Sequence, residues 1–196
     1  KSNQDLKQQS LLKSQISSIT ELSQGATELQ LLADNIISKL AEMINAGHGV
    51  FYVSSDDNSD HYLELIGSFA FEKRKTVQDK IAIGEGLVGQ CAKEKKSILL
   101  THAPSDYIHI NSGLGGCEPL NILVIPMLFE RKVVGVIELA SFQLFTSLNQ
   151  TMLEQVANNT AIVINNILSQ QKTKQLLGET QSQSEELQVQ QEELRS

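Results

Sequence analysis

The amino-acid sequence predicts an α+β fold, in which helices pack on both faces of a mostly antiparallel central sheet. Two observations lead to this prediction. Residues 120–141 hold two apolar runs separated by the charged residues Glu130-Arg131-Lys132. Patterns typical of helices flank the strand-like segments at both ends of the chain. Segregated helices and strands of this kind are typical of layered α+β domains.

The two apolar runs predict the central hairpin of the sheet. β-Branched residues favour pleated strands, and here they are Ile122, Val124, Ile125, Val133, Val134, Val136 and Ile137. Neither run alternates between apolar and polar residues, so we expect both faces of the hairpin to be covered. A charged break of about three residues has the length of a hairpin turn.

Composition restricts the class of protein. The length of 196 residues suits one domain with extensions. A net charge of −7 without a basic patch argues against a nucleic-acid surface. Cys91 and Cys117 form no CxxC pair, which suggests a reducing compartment. No apolar run approaches the ~18 residues of a membrane span. We therefore expect a cytoplasmic chain that does not itself insert into a membrane and that is a piece of a longer protein.

The N-terminal part predicts two helices. The first has apolar residues at three- and four-residue gaps, typical of a narrow seam, and these are Leu6, Leu12, Ile16, Ile19 and Leu22. Gly25 interrupts it. Thr27 and Gln30 resemble a capping box at the start of the second helix, which we expect to run to about Asn45 and to stop by Gly47.

The middle of the chain predicts strands over residues 49–54, 62–71, 81–83 and 98–101, and a helix over residues 87–95. A long connection over residues 102–119 then precedes the hairpin. Long loops inside compact domains often carry function.

A long C-terminal helix is predicted from Gln150 onwards. Its sequence becomes polar from residue 170, although Leu187 and Leu194 are one heptad apart. Thr180, Ser184 and Gln191 occupy other candidate core positions, so the predicted coiled-coil seam is weak.

Four segments together resemble a GAF domain: IAIGEGLVGQCAKEKKSILL, PSDYIHINSGLGG, LNILVIPMLFERKVVGVIELAS and FTSLNQTMLEQVANNTAIVIN. More narrowly, they resemble the GAF sensor modules of multidomain bacterial hybrid sensor histidine kinases. The resemblance covers about residues 29–168. It divides the chain into an N-terminal signalling helix (1–24), a GAF domain (25–169) and a helical or coiled-coil linker (170–196).

The resemblance implies a GAF/PAS-like central antiparallel sheet of about six strands with long terminal signalling helices on one face. It also implies a small-molecule pocket on the other face and a homodimer formed through the terminal helices. The implied role is sensory, in a two-component phosphorelay, with the catalytic histidine kinase outside this chain. Whether the parent protein is anchored in the inner membrane stays open.

We expect a pocket between the central hairpin and a cover formed by residues 87–92 and 102–119. Seven residues are candidates for its lining: Phe51, Val88, Cys91, Tyr107, Ile110, Asn121 and Leu123. The same residues are equally compatible with a filled core that binds nothing. The sequence identifies no cofactor and does not name a ligand.

Other chemical sites have weaker support. His102, His109 and Cys117, with Asp106 nearby, lack the paired spacing of a metal or haem site, so we predict no metal site. Covalent attachment of a tetrapyrrole to Cys117 is disfavoured, because Glu118 follows it where photoreceptor GAF domains have His.

Three further patterns have a structural as well as a functional interpretation. Gly84-Glu85-Gly86 suits either a simple turn into a helix or a weak phosphate cradle, which Glu85 would oppose. Glu138 lies inside an apolar strand, where a buried carboxylate has a raised pKa unless it is paired, so it could be functional. The structural interpretation is a strand position near the end of the sheet, or a carboxylate paired with a backbone group or a Lys. Asp56, Asp57 and Asp60 suit a solvated hairpin tip.

Two alternatives to a sensory module remain. One is a structural dimerisation module without a ligand. The other is a GAF-fold redox enzyme acting on oxidised methionine, which would need cysteines placed to react and resolve. Cys91 is predicted on an apolar helix face and Cys117 in a loop. We therefore predict no catalytic residues in this chain.

Overall fold

The computed structural model describes residues 3–57, 60–70, 79–102, 110–112, 115–117 and 121–195. The elements follow in the order α1 (Asn3–Ser23), α2 (Leu29–Met43), β1 (His48–Asp57), β2 (Asp60–Phe69), β3 (Lys80–Ala82), α3 (Gly86–Glu94), β4 (Ile98–Thr101), β5 (Ile110–Ser112), β6 (Gly115–Cys117), β7 (Asn121–Phe129), β8 (Lys132–Ser141) and α4 (Ser147–Arg195). The predicted α+β class is confirmed.

The main sheet has six strands in the order β3-β2-β1-β8-β7-β4, and each neighbouring pair is antiparallel. Strands β8 and β1 lie at its centre, and β8 pairs with β1 along one edge and with β7 along the other. The predicted hairpin is therefore β7–β8. The number of strands agrees with the six expected from the family resemblance.

The turn of this hairpin is one residue shorter than the sequence suggests. Phe129 pairs with Lys132, so only Glu130 and Arg131 lie between the strands. Both have positive φ, at 47° and 66°. A two-residue turn with both residues in the left-handed region matches the twist of the flanking strands. Lys132, predicted as part of the break, is the first residue of β8.

Each face of the sheet is covered by its own apolar layer. On one face, here called the helical face, α1, α2 and α4 cover the sheet. On the other, here called the α3 face, α3 covers β1, β7 and β8. Strand β7 is buried from Asn121 to Met127 and β8 from Val133 to Ser141. The predicted burial of both faces of the hairpin is confirmed.

The capping box predicted for α2 is absent. The N-cap is Glu28, which makes no side-chain cap hydrogen bond. Gln30 instead donates hydrogen bonds to the Asp34 carboxylate and to the backbone carbonyl of Ile66 in β2. The side chain that resembled a cap therefore ties α2 to β2, the strand next to the edge strand β3.

Helix α4 is one continuous helix of 49 residues. It begins three residues earlier than predicted, because Thr146 and Asn149 form a reciprocal cap. The Thr146 hydroxyl accepts a hydrogen bond from the Asn149 amide at 3.1 Å, and the Asn149 side chain accepts one from the Thr146 amide at 3.0 Å. No break separates the domain from the predicted linker, and Gly178 lies within the helix.

The connection over residues 102–119 contains a short strand pair that the sequence analysis missed. Strands β5 and β6 form a separate two-stranded sheet, in which Ile110 pairs with Cys117. Both strands have three residues, and β6 begins Gly-Gly, so neither presents a recognisable apolar pattern. Within the described part of the chain, no helix combines the length and apolar character needed to cross a membrane.

Gly89 lets α3 pack closely against the turn before it, so adding a methyl group at this position should lower stability. A Cβ atom at Gly89 would lie 2.3 Å from the Ala82 carbonyl oxygen, a backbone atom. Gly89→Ala must therefore displace α3, and we expect a loss of about 1–3 kcal/mol in the free energy of unfolding. Urea denaturation measures this loss.

Gly178→Ala is the matched control, because nothing lies within 4 Å of the Cβ position at Gly178. This variant should keep or slightly raise stability, since alanine is a better helix former than glycine. Equal stability of the Gly89→Ala variant and the wild type would contradict the close packing of α3.

Candidate functional site

Helix α3 is fixed at its C-terminal end by a lysine. Lys95 adopts a left-handed conformation (φ 57°), and its amide donates to the Cys91 carbonyl at 2.8 Å, which ends the helix. Its side-chain Nζ donates to the Arg131 carbonyl at 2.8 Å, in the β7–β8 turn. The helix that covers the α3 face is thereby tied to the central hairpin.

The turn before α3 uses its polar groups internally. The amide of Gly84 donates to the Gly89 carbonyl at 2.8 Å and the amide of Glu85 to the Ala82 carbonyl at 3.0 Å. The Glu85 carboxylate accepts a hydrogen bond from the Ala82 amide at 3.0 Å. Two amides of this turn are thus occupied and a carboxylate lies beside them, which favours the structural interpretation over a phosphate cradle.

Glu138 is a carboxylate within the apolar layer under α3. It lies in β8 opposite Val50 of β1 and Val124 of β7, both of which belong to the apolar layer under α3. Its side chain is 5% exposed. No hydrogen bond or ion pair from another described residue reaches its carboxylate. The alternative that Glu138 lies at the end of a strand or is paired with a Lys is not supported by the described residues.

Burial shifts the ionisation of three acidic groups on this face. Burial alone raises the pKa of Glu138 to about 7. Burial raises the pKa of the Cys91 thiol to about 12, with smaller contributions from the charges of Glu138 and Glu94. The pKa of Tyr52 is raised by burial first and then by the charges of Glu138 and Asp79. Each ionised form would add negative charge to an apolar layer.

His48 supplies no positive charge to this layer at neutral pH. It lies two residues before Val50 on β1 and is buried. Burial lowers its pKa from the ordinary value, and this effect outweighs an opposing hydrogen bond with the backbone of Ala70. His48 is therefore neutral at pH 7.

The structure separates the seven predicted lining residues. Val88 and Cys91 lie on the α3 face, as expected. Phe51 and Leu123 lie on the helical face, so their expected position beside α3 is wrong. Side chains alternate along a strand, and the neighbours Tyr52, Ile122 and Val124 occupy the α3 face instead. Tyr107 is outside the described residues. Ile110 lies in β5, and only its backbone is described.

Asn121 is buried, and its amide is engaged within the protein. Its Nδ2 donates to the carbonyls of Ser141 and Gln143, at 3.1 and 2.6 Å. Its Oδ1 accepts from the Phe145 amide at 2.9 Å. Both donors of the amide are used, so Asn121 acts as a clamp between β7 and the segment that leads into α4.

Sequence reasoning singled out Glu138 but left it outside the predicted pocket, and it missed Tyr52. The available signal was strand alternation from Glu138, which places Val136 and Ala140 on the same face. This alternation is intact along β1 and β7, because the extra residues at the two register irregularities, Ile66 and Val134, lie in β2 and β8. A β-bulge is not readable from residue types in these segments.

The described residues contain no group of three or more His, Cys, Asp and Glu side chains arranged to hold a metal ion. His102 is exposed at the end of β4. His109, Asp106 and Glu118 lie outside the described residues, and the side chain of Cys117 is not described. The predicted absence of a metal site in this loop therefore stays a prediction, as does the absence of a tetrapyrrole.

Comparisons with known proteins agree with this architecture. The sequence model described as the GAF domain matches residues 26–165. Among solved structures, the chain is similar to the GAF domain of an Acinetobacter phosphoenolpyruvate-protein phosphotransferase, with a TM-score of 0.66, 18% identity, and coverage of 86% of this chain and 97% of that one. The corresponding GAF domain from Coxiella burnetii gives a TM-score of 0.68 at 16% identity, covering 82% and 96%.

The chain is also similar to the free methionine-R-sulfoxide reductase of Neisseria meningitidis, solved in complex with its substrate. The TM-score is 0.64 at 19% identity, and coverage is 82% of this chain and 92% of that one. At these identities the structural likenesses describe the fold alone. No match was found among curated protein sequences.

The raised pKa of Glu138 predicts a specific pH dependence of stability. The folded protein holds the proton up to about pH 7, whereas the ordinary value is 4.5. The contribution of Glu138 to the free energy of unfolding is therefore at its most favourable below about pH 4.5. It is lost as pH rises towards 7, because over this range the unfolded chain releases the proton and the folded protein keeps it. Relative to Glu138→Gln, the wild type should lose about 2–3 kcal/mol over this interval.

Urea denaturation of both proteins in steps from pH 4.5 to 8 measures this difference. Taking the difference between the two proteins cancels contributions that they share, including that of His48. Parallel stability curves for the two proteins would show that Glu138 does not titrate as its burial requires.

Proposed function

Because this chain belongs to the GAF domain family, we propose that it is the sensory and regulatory module of a two-component hybrid histidine kinase. In this proposal the α3 face receives the signal, and the terminal helices relay it across a homodimer to a kinase core outside this chain. The chain itself carries no catalytic residue. The module works in the cytoplasm, whether or not the parent protein is anchored in the inner membrane.

The observation that carries the proposal is the exposed half of α4. From Ser169 to Arg195 every residue of this helix is exposed. At 1.5 Å per residue, these residues extend about 40 Å beyond the domain. A helix without tertiary packing is marginal in water. A second copy of the same helix would supply the missing contacts.

An apolar stripe runs along the exposed side of α4. Exposed residues Leu148, Ile162 and Leu176 are spaced by fourteen residues, or two heptads. Leu187 and Leu194 follow with a spacing of seven. At about 100° per residue, all five lie within about 80° of one another around the helix. Each spacing of seven residues falls about 20° short of two full turns, and a left-handed supercoil corrects a drift in this direction. Here this set is called the α4 stripe.

Two polar residues on the same side of the helix as the α4 stripe are compatible with pairing. The hydroxyl of Thr173 donates to the Ser169 carbonyl at 2.9 Å, and that of Thr180 donates to the Leu176 carbonyl at 2.8 Å. These hydroxyls are satisfied inside their own helix, so a partner helix need not supply acceptors. The stripe remains weak because it alternates apolar with polar positions. A weak seam suits a relay, since two helix registers then differ little in free energy.

Helix α1 extends the proposed dimer surface. It packs against α2 and α4, and it leaves Leu6, Leu11 and Leu22 exposed. Both terminal helices therefore present apolar side chains outside the domain core. This arrangement supports pairing through the terminal helices, and it serves equally well if the module only dimerises and binds no ligand.

The alternative of a redox enzyme has less support. Cys91 is fully buried and its pKa is raised to about 12, so it does not form the thiolate that such chemistry requires. The likeness to a methionine-R-sulfoxide reductase concerns the fold. We therefore favour signal relay over catalysis for this chain.

Dimerisation through the α4 stripe predicts an asymmetry between two exposed residues. Leu187, 60% exposed, lies on the stripe, whereas Val189, 56% exposed, lies about 160° away around the helix. Leu187→Lys should raise the dimer dissociation constant at least tenfold, because it places a charge in the seam of both copies. Val189→Lys should leave it unchanged. Multi-angle light scattering over a concentration series measures both constants.

A monomeric wild type at all concentrations would contradict helix-mediated pairing. Equal effects of the two lysine substitutions would show that pairing, if present, does not use the stripe.

A further inference from the structure

Strand β7 is longer than the edge strand that pairs with it, and this difference leaves a cavity at the side of the sheet. Strand β4 pairs only with residues 121–124 of β7. Within the described chain, no strand pairs with that side of β7 from Ile125 to Phe129. A cavity of about 380 Å³ lies there, between β7, α4 and the turn that joins α3 to β4. Small-molecule sites have volumes in this range. Here it is called the edge cavity.

The floor of the edge cavity is apolar. It consists of Ile125, Pro126 and Leu128 of β7. Ile125 belongs to the apolar layer of the helical face. None of the buried residues under α3 lines the cavity. The edge cavity is therefore separate from the α3 face, and an aliphatic part of a ligand would lose contact with water on this floor.

Opposite charges face the edge cavity from its two sides. Lys95 and Lys96 line it from the turn after α3, and Glu154 and Asn158 line it from α4. Among the described residues, no ion pair joins either lysine to Glu154. The cavity thus separates two cationic groups from one anionic group.

Hydrogen bonds within the protein leave these charged groups able to bind a ligand. The Lys95 Nζ donates to the Arg131 carbonyl at 2.8 Å, which uses one of its three donors. Glu154 accepts a hydrogen bond from the Ser97 hydroxyl at 2.8 Å through Oε1, and its second oxygen remains. Lys96 is exposed. Both signs of charge are therefore available at the cavity.

We propose that the edge cavity binds a small zwitterion, a molecule that carries both a carboxylate and an ammonium group on a short aliphatic body. The carboxylate pairs with Lys95 and Lys96, the ammonium group pairs with Glu154, and the aliphatic body packs on the floor formed by β7. A ligand bound in this way connects the turn after α3 to α4. Its effect on the pairing of α4 rests on the proposed function, whereas the binding site itself does not.

The lining charges favour a zwitterion over ligands that carry one charge. A simple anion meets the Glu154 carboxylate, and a simple cation meets the two lysines. A zwitterion gains charge-assisted hydrogen bonds at both of its ends. Because Lys96 and Glu154 are exposed, each pairing contributes little. We therefore expect weak binding that added salt weakens further.

The test titrates the full chain with four probes at pH 7 and follows binding by NMR. 5-Aminopentanoate and L-norvaline are zwitterions with a large and a small separation between their charges. n-Pentylammonium and pentanoate carry one charge each on a chain of the same length. At least one zwitterion should bind about threefold or more tightly than either singly charged probe. The backbone amides of Ser97, Leu128 and Asn158 should show the largest chemical-shift changes.

Two variants separate the two ends of the site. Lys96→Gln should weaken binding of the zwitterion and of pentanoate about threefold and should not weaken binding of n-pentylammonium. Glu154→Gln should weaken binding of the zwitterion and of n-pentylammonium, and not that of pentanoate. Lys93→Gln and Glu130→Gln are matched controls, because they make the same charge changes at exposed positions that do not line the cavity. Both controls should leave every affinity nearly unchanged.

Three results would overturn the proposal. They are equal affinities for the zwitterions and the singly charged probes, chemical-shift changes centred on other residues, and control variants that weaken binding as much as Lys96→Gln and Glu154→Gln do. Absence of binding by both zwitterions would overturn it as well.

The consequence for α4 is measured separately, by multi-angle light scattering with and without the tighter zwitterion. A changed dimer dissociation constant supports control of pairing by the ligand. A zwitterion that binds without changing this constant retains the site and rejects its control of the relay. A dimer that depends on Leu187 while neither zwitterion binds retains the helix-mediated module and rejects the site.

Discussion

The burial of strand β8 on both of its faces is the constraint on which the layers around it depend. It is hydrogen-bonded to β1 and β7, and from Val133 to Ser141 it is buried on both faces. Its backbone groups must be satisfied within these ladders, because water does not reach them. Its side chains must alternately fill the helical face and the α3 face. A polar side chain in this strand is therefore costly, and Glu138 occupies such a position in the layer under α3.

Hydrogen bonds connect the start of β7 to the segment that leads from β8 into α4. Asn121, at the start of β7, holds the carbonyls of Ser141 and Gln143 and the amide of Phe145, just before α4 begins. Just before the edge strand β4, which pairs with β7, the Ser97 hydroxyl donates to the Glu154 carboxylate of α4 at 2.8 Å. This hydrogen bond gives the proposed relay a route, because a rearrangement of α3 that moved Ser97 would act directly on Glu154 of α4.

The sequence was informative where one physical signal dominated. Continuous runs of β-branched residues predicted the doubly buried hairpin, and segment order predicted the α+β class. Prediction failed where a contact distant in the chain decided the outcome. Gln30 resembled a cap but donates a hydrogen bond to β2. Phe51 and Leu123 looked like lining residues but face the helices, because in a strand that is apolar on both faces the residue types do not show which alternating set faces which layer. Strands β5 and β6 are too short to carry a pattern.

The relay proposed for this chain requires that a change on the α3 face alters the pairing of α4, and a spin-label distance measurement tests this requirement directly. Labels at Ser182→Cys, in a Cys117→Ser background that keeps the buried Cys91, lie off the α4 stripe. In a dimer they should be about 20–30 Å apart, given helix diameters of about 10–12 Å. Glu138→Gln, which neutralises the carboxylate, should shift or broaden that distance distribution. Absence of dipolar coupling in the wild type, or identical distance distributions in both proteins, would contradict the proposed relay.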